Sequence, residues 1–279
     1  MGEGNARADR LVSLAQRPLV SQHVLAREAH SMFHQNAKGL RREYQITYED
    51  AKVIVRSCPV CSHHNGSMGL GLGVNPRGLK ANKNRQMDVM HVGEFGQLKY
   101  VHVSIDTYSH FMWATAQPGE KAMYVERHLS CCFAVTGISL QIKTDNGPAY
   151  TSRRLGEFLQ TWGVKHSTGI LNSPTGQTIV EQANRTLKRY LEKRADVRDL
   201  QERLAKCLFV LNHLCVFGDG REPPAYKHHA PISNRERKSI WVNYKDPKTA
   251  LWQGPDNVLY WGRGYLCVSA PTGPLWVPA

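Results

Sequence analysis

Three acidic residues stand in contexts that suit phosphoryl-transfer chemistry: Asp88, Asp145 and Glu181, with 35 residues between the last two. Acids grouped without a basic partner in their own motifs repel one another unless a cation joins them. Hard oxygen ligands favour Mg²⁺ or Mn²⁺, and two such ions can activate a water or hydroxyl and stabilise the leaving oxygen of a phosphodiester. The trio therefore predicts metal-dependent phosphoryl transfer on nucleic acid. The alternative is three unrelated acids at a strand end, a turn and a helix.

A second set of ligand-type residues lies nearer the N-terminus. His30 and His34 are four residues apart and share one face of a helix, while Cys58 and Cys61 form a Cys-Pro-Val-Cys knuckle. A His₂Cys₂ set closes a tetrahedral structural Zn²⁺ site. A region of about 40 residues has too small a core to stand alone, so the metal would supply folding energy. The alternative is surface histidines and reduced bystander cysteines.

Composition bounds the class of protein. The 279 residues allow one large domain or two to three small ones. A net charge of +13, from 36 Lys and Arg against 23 Asp and Glu, indicates a polyanionic partner, either nucleic acid or an acidic membrane surface. No apolar run approaches the about 20 residues of a membrane span, and no signal peptide is evident. Seven scattered cysteines do not form a disulfide pattern, which favours a reducing, intracellular location.

The middle of the chain alternates between strand and helix patterns. Before it, residues 63–84 are rich in Gly and Asn, which is typical of a linker. Period-two patterns predict strands at 100–106, 111–116, 140–144 and 164–170, and helical spacing appears at 122–135 and 152–162. Asp145 directly follows one of these strands. This alternation predicts a mixed α/β sheet with helices packed on it.

A helix predicted from Thr178 to Leu191 carries the third acid. Its apolar stripe is Val180, Ala183, Leu187 and Leu191. On another face, Glu181, Arg185 and Lys188 align at helical spacing, which suits a metal-holding carboxylate beside phosphate-binding cations. The alternative is a solvated face with a Glu–Arg pair contributing only about 0.2–0.5 kcal/mol. Another helix is predicted over residues 199–214.

The C-terminal part is predicted to be a small all-β module. Residues 218–238 are polar, basic and rich in proline, and are predicted to be a second linker. Tryptophans and tyrosines then stand among short alternating runs and glycine turns. Together with Lys245, Lys248 and Arg263 they could form a nucleic-acid surface. Burial in a barrel core is the expected role of most of the tryptophans.

The order of these modules resembles retroviral integrase: an HHCC zinc module, two aspartates with a glutamate 35 residues on, and an aromatic β barrel. The stretches QMDV (86–89), IKTDNGPAY (142–150) and WGRGY (261–265) are most similar to the betaretroviral branch, including endogenous members. The resemblance implies an α/β multidomain fold. Its parts are a helical zinc-binding HHCC domain at 22–62, a linker at 63–84, a ribonuclease H-like mixed α/β core at 85–217, a linker at 218–238 and a small SH3-like β barrel at 239–279.

The resemblance also implies an activity. Asp88, Asp145 and Glu181 would hold two Mg²⁺ or Mn²⁺ ions, and His30, His34, Cys58 and Cys61 one structural Zn²⁺. The enzyme would trim viral cDNA ends with water and then use the 3′-hydroxyl to attack host DNA, with positioning and charge stabilisation carrying the rate. The implied DNA contacts are Gln177, Asn184, Arg185, Lys188, Asn146 and Arg263.

The implied partners are viral DNA ends, host target DNA and further copies of the chain assembled on DNA. A host chromatin tethering factor is also possible, and no membrane is implied. The implied locations are the nucleus, within a pre-integration complex, and the virion. Residues 1–21 resemble the closing motif of retroviral ribonuclease H, with Asp9 on its last metal-binding acid. This implies a fragment of a Pol polyprotein, whose front segment is expected to be disordered or loosely helical and functionless here.

Some positions depart from the family pattern. Asn172 replaces an aromatic residue in the loop 171–177, Met90 replaces a usual Thr, and Gln182 replaces a frequent Arg. The sequence stops at Ala279, which predicts a shortened last barrel strand. Two alternatives therefore stay open: a catalytically decayed endogenous DNA-binding remnant, and a nuclease or transposase that shares only the core. The order of the modules argues against the second.

Overall fold

The structure is a computed structural model that describes residues 21–62, 77–168, 177–218, 220–230, 240–247, 249–262 and 264–279. The chain divides into two compact units, Met1–Asn65 and Gly66–Ala279. None of the helices in the described ranges combines the length and the apolar character that crossing a bilayer requires.

The first unit is a set of short helices: α1 (Gln22–Phe33), α2 (Ala37–Tyr44), α3 (Tyr48–Ser57) and α4 (Pro59–Ser62). The Thr47 hydroxyl accepts the Asp50 N–H at 3.1 Å and starts α3, as the spacing of these two residues predicted. The core is small, consisting of Ala26, Leu40, Ile46, Ala51 and Ile54. So few apolar side chains leave the helices dependent on a further cross-link.

The second unit contains a five-stranded sheet in the order β3-β2-β1-β4-β5. Its strands are β1 (Arg85–His91), β2 (Tyr100–Asp106), β3 (Met112–Gln117), β4 (Gln141–Thr144) and β5 (Lys165–Thr168). The first three pair antiparallel, whereas β4 runs parallel to both β1 and β5. The predicted mixed sheet is confirmed.

Helices pack on this sheet. They are α5 (Ala122–Thr136), α6 (Arg153–Thr161), α7 (Thr178–Lys193), α8 (Leu200–Phe209) and α9 (Pro224–His229), with a 3₁₀ segment at Gly93–Leu98 and a π turn at Val210–Leu214. Met87 on β1 packs with Leu129 of α5 and Leu155 of α6 in a buried side-chain cluster on one face of this sheet. Because side chains alternate along a strand, the neighbours of Met87 point to the opposite face, where α7 lies.

The π turn has a clear packing role. Asn212 accepts the Met112 N–H at 2.9 Å and donates to the Met112 carbonyl at 2.8 Å. Met112 begins the edge strand β3, so one side-chain amide replaces a missing neighbouring strand at that point. Asp199 caps the preceding helix by accepting the Glu202 N–H.

Part of each predicted linker is folded. Within 218–238, α9 forms and His228 is buried, 3.0 Å from Ser109 Oγ and 3.0 Å from the Thr136 carbonyl oxygen. At the end of 63–84, the Asn82 N–H donates to Asp106 at 2.8 Å. These polar stretches are ordered because buried polar partners take up their hydrogen bonds. Residues 63–76 and 231–239 lie outside the described ranges.

The C-terminal module is an antiparallel sheet of β6 (Trp241–Lys245), β7 (Trp252–Trp261), β8 (Tyr265–Ala270) and β9 (Gly273–Pro278). Its core is built from Tyr244, Val258, Leu266, Val268, Ala270 and Val277. The expected burial of most of its tryptophans is wrong, because Trp241, Trp252 and Trp261 are 62%, 73% and 39% exposed. Tyr244 and aliphatic side chains fill the small interior, and these three tryptophan rings stay on the surface.

The module is joined to the core sheet by polar contacts. Arg77 and Trp261 pair through both backbone N–H groups. Lys83 Nζ donates to the Leu259 carbonyl at 2.7 Å, and the Tyr260 hydroxyl donates to Gln141 Oε1 at 2.6 Å. Lys83 precedes β1 and Gln141 begins β4, so these contacts lie at the starting ends of the two strands.

Candidate active site and zinc site

The predicted zinc ligands come together in the first unit. The ligand atoms of His30, His34, Cys58 and Cys61 all lie within 4.8 Å of one another. Cys58 Sγ is 3.5 Å from His34 Nδ1. Three helices contribute: His30 lies in α1, His34 and Cys58 are the residues that end α1 and α3, and Cys61 lies in α4.

The surroundings of this group suit a metal ion. His30 Nδ1 is 3.0 Å from the Gln35 carbonyl oxygen. Because a carbonyl only accepts, Nδ1 carries the proton and Nε2 keeps the lone pair that a metal needs. Two thiolates and two imidazoles form the soft donor set of a closed tetrahedral Zn²⁺ site. A bound Zn²⁺ would cross-link α1, α3 and α4, which the small core does not hold alone.

The three predicted catalytic acids are positioned by separate elements of the second unit. Gln86 of β1 is the register partner of Lys143 of β4. Two residues further along each chain, Asp88 and Asp145 therefore lie side by side at the same end of the sheet. Glu181 lies in the first turn of α7, which packs on β1 and β2.

Hydrogen bonds hold the two aspartates. Asp88 Oδ1 accepts the Val89 N–H at 2.8 Å, and Asp88 Oδ2 accepts from Asn184 Nδ2 at 2.8 Å. Asp145 Oδ1 accepts the Gly147 N–H at 2.9 Å. A Cβ added at Gly147 would lie only 3.1 Å from Asp145 Oδ1, so a larger residue there would require the Asp145 carboxylate to shift slightly.

The electrostatics of the trio favour a cation. Burial raises the pKa of Asp88, and the charges of Asp145 and Glu181 raise it further against the lowering bonds from Val89 and Asn184. The three carboxylates carry negative charge that the protein does not neutralise. Their hard oxygen atoms are the ligands that Mg²⁺ or Mn²⁺ prefers. Within the described ranges, the carboxylate oxygens of the trio are less closely grouped than the ligand atoms of the zinc group. The exposed Glu181 side chain can rotate toward a bound ion.

Some residues of this site were not predicted. Gln86 Oε1 accepts the Val180 N–H at 3.1 Å. Thr144 Oγ1 donates to the Asp145 carbonyl at 2.9 Å and lies 2.9 Å from His166 Nε2, so the imidazole donates to the hydroxyl. The bonds of Gln86 with Val180 and of Thr144 with His166 join residues that are distant in sequence, so no local pattern predicts them.

The residues predicted to contact DNA differ in how exposed they are. Asn146 is exposed in the turn after β4, and Arg185 and Lys188 are exposed on the face of α7 that carries Glu181. Gln177 is half-buried at the start of α7. Arg263, the loop residues 169–176 and the front segment with Asp9 lie outside the described residues. Contact of these side chains with DNA remains a prediction.

Fold and site together define a class: a multidomain protein with a zinc-binding helical domain, a ribonuclease H-like mixed sheet bearing three acids, and an SH3-like β module. Family comparisons agree module by module. The Integrase Zinc binding domain matches residues 26–63, the Integrase core domain matches 79–174 and the Integrase DNA binding domain matches 242–279. The chain belongs to the retroviral integrase family.

Individual relatives point the same way. The chain is 44% identical over 284 residues to the Gag-Pro-Pol polyprotein of mouse mammary tumor virus (strain BR6) and 41% identical over 289 residues to that of Mason-Pfizer monkey virus. Each match covers 100% of this chain but only 16% of the polyprotein. A chain of the simian T-cell lymphotropic virus intasome in complex with PP2A regulatory subunit B56 gamma is 28% identical, with a TM-score of 0.55. That match covers 91% of this chain and 96% of the other.

Proposed function

We propose that this chain is a polynucleotidyl transferase that trims the 3′ ends of viral cDNA and joins them to host DNA by transesterification. The carrying observation is the arrangement of Asp88 on β1 and Asp145 directly after the adjacent parallel strand β4, with α7 held over Asp88 by Asn184. Glu181 is close enough to raise the pKa of Asp88. The site thus collects three carboxylates from three elements at one end of the sheet.

The protein's own groups orient and hold the reactants. Asp88, Asp145 and Glu181 would bind two Mg²⁺ ions, which when bound activate the attacking oxygen and stabilise the leaving one. Asn184 and the Gly147 N–H fix the two aspartates. Arg185 and Lys188, one and two turns beyond Glu181, would bind phosphates of the DNA end. Most of the rate enhancement would then come from positioning the reactants and stabilising the charge that develops on them.

A strand-transfer assay tests this function. A labelled duplex with a betaretroviral terminal sequence and a plasmid target are incubated with the protein and Mg²⁺. We expect joined product from the wild type and none from Glu181→Gln, which keeps the shape and removes the charge. Absence of product from the wild type with both Mg²⁺ and Mn²⁺, or equal product from both proteins, contradicts the proposal.

We propose a setting for this activity from the resemblance to retroviral integrase. The sequence is a piece of a betaretrovirus-like, endogenous Pol polyprotein, with residues 1–21 as the end of its ribonuclease H region. Copies of the chain assemble on viral and target DNA, in the nucleus and in the virion. Similarity to an intasome chain supports assembly on DNA. A host tethering factor belongs to the same proposal, and a pull-down from nuclear extract with and without DNA tests it.

A second candidate function is DNA binding without catalysis. It is favoured by the exposed rings of Trp241 and Trp252, the second of which lies across from Lys245 on the neighbouring strand. Aromatic and basic groups on one surface bind nucleic acid without sequence preference. Binding that weakens steeply with salt, in a protein that gives no strand-transfer product, would support this candidate.

A further inference from the structure

Gln86 is a fully buried polar side chain two residues before the catalytic Asp88. It is 0% exposed and lies on the same face of β1 as Asp88. Its Oε1 accepts the Val180 N–H at 3.1 Å, from a residue 94 positions further along the chain. Val180 directly precedes Glu181, so this bond joins the strand of one catalytic acid to the helical turn of another.

The bond supplies a cap that α7 does not make for itself. The first backbone N–H groups of a helix need outside acceptors, and a side chain just before the helix usually accepts from its second or third residue. Asn36, Thr47, Ser152 and Asp199 do so for their own helices. Gln177, at the corresponding position of α7, makes no such side-chain bond. Gln86 takes the N–H of Val180, the third residue of α7, instead.

We propose that Gln86 is a positioning residue for Glu181. A local cap would fix the start of α7 only to its own loop, whereas a cap from β1 fixes it to the strand that carries Asp88. Asn184 makes a second bond from α7 to Asp88 one turn later. Two bonds one turn apart fix both the position of α7 along its own axis and its rotation about that axis, relative to β1. Glu181 lies between them and is thereby held at a defined place relative to Asp88.

The experiment compares substitutions at two glutamines, Gln86 and Gln141. It rests on the proposed function only in part. Gln86→Met keeps the length of the side chain and removes the acceptor. Gln141→Met is the matched control, because Gln141 is a half-buried glutamine at the far end of the adjacent strand β4, where it contacts Ser167 and Tyr260. Gln86→Glu keeps an acceptor for the Val180 N–H. Should Gln86→Met fail to fold, Gln86→Asn gives the same comparison with a shorter side chain.

Three quantities are measured on the full chain: amide hydrogen exchange over residues 178–182, Mn²⁺ affinity, and the Mg²⁺ concentration that gives half-maximal strand transfer. We expect Gln86→Met to speed exchange in this turn by about tenfold, the effect of losing one ordinary hydrogen bond. It should weaken Mn²⁺ binding and raise the half-maximal Mg²⁺ concentration severalfold. Gln141→Met should change none of the three, and Gln86→Glu should restore slow exchange.

Two results overturn the proposal. Unchanged exchange in Gln86→Met shows that the bond does not hold the turn. Faster exchange with unchanged Mn²⁺ affinity shows a merely structural contact. If the wild type gives no strand transfer, the proposed function fails, yet exchange and Mn²⁺ binding still decide the role of Gln86.

Discussion

Asn184 Nδ2 donates a hydrogen bond to Asp88 Oδ2 at 2.8 Å, across 96 positions of sequence. The resemblance implied that Asn184 contacts viral DNA, but its amide nitrogen is turned to a catalytic acid. This bond stabilises the charged carboxylate, against the burial that raises the pKa of Asp88. The helix that carries Glu181 is thereby connected directly to the strand that carries Asp88.

Replacing Asn184 by leucine should reduce strand transfer by about tenfold or more, since the Asp88 carboxylate loses a donor of ordinary hydrogen-bond strength. Fold stability should change by only about 0.5–1.5 kcal/mol. Single-turnover assays and urea unfolding measure the two effects. Gln201→Ala, an exposed substitution on α8, is the control. Full activity in Asn184→Leu would contradict a role for this bond.

Tyr150→Phe should stabilise the protein. The Tyr150 hydroxyl is buried and has no hydrogen-bond partner in the described parts of the chain. Burial, followed by the charges of Asp88 and Asp145, raises its pKa well above 10. Removing an unsatisfied buried hydroxyl should raise the free energy of unfolding by about 1 kcal/mol.

The matched control for Tyr150 is Tyr244→Phe. The Tyr244 hydroxyl donates to Asp256 Oδ2 at 2.9 Å. This substitution should leave the stability unchanged or lower it. Urea unfolding by circular dichroism measures both variants, and a loss of stability in Tyr150→Phe would show that its hydroxyl has a partner in solution.

Removing the metal should unfold the zinc-binding unit alone. Cys58→Ser takes away one thiolate of the four-ligand group, and the small helical core cannot compensate. Helical circular dichroism should fall, while the second compact unit stays folded. A chelator should do the same to the wild type. Cys131→Ser, an exposed cysteine outside the group, is the control, and helicity that survives chelation would refute the zinc assignment.

Stability should fall as the pH drops below 6.5. Burial, then the charges of His102 and Arg85, hold the pKa of His128 well below its usual 6.5. Below pH 6.5 the His128 imidazole is protonated in the unfolded chain but stays neutral in the folded protein, so lowering the pH favours unfolding. The loss approaches about 1.4 kcal/mol per pH unit for each such group.

Urea unfolding between pH 7.5 and 5.5 tests this pH dependence. His128→Gln should flatten the slope, even if it lowers stability at every pH. The exposed Gln201→Ala is the control, because it removes no titratable group, and should keep the slope of the wild type. Identical slopes for His128→Gln and the wild type would show that folding does not lower the pKa of His128.

Trp252→Ala should weaken DNA binding without unfolding the module. The ring is 73% exposed, so its loss costs little packing. Stacking of an aromatic ring on a base contributes about 1–3 kcal/mol. Fluorescence anisotropy with labelled duplex at two salt concentrations measures the affinity. Leu251→Ala removes an exposed neighbour that cannot stack and should have a smaller effect.

Local patterns predicted much of this protein. Ligand spacing predicted the zinc group, and strand and helix periodicity predicted β4, which Asp145 directly follows, and α7, which carries Glu181. The strand that carries Asp88 was implied only by the resemblance to retroviral integrase. The contacts of Gln86 with Val180 and of His228 with Ser109 could not be predicted, because they join residues far apart in sequence by single hydrogen bonds. The predicted burial of the tryptophans was wrong because aromatic content does not reveal how much interior volume a small β sheet encloses.

The position of α9 bears on how the enzyme can be dissected. A core fragment that stops at residue 217 would lose His228 and uncover Ser109 and the Thr136 carbonyl, which His228 now bridges. Such a fragment would lose the buried side chain that connects these two groups, and it should express poorly. A boundary at residue 230 would keep the histidine in place, and it is the sensible end point for crystallisation or inhibitor screening of the isolated catalytic piece.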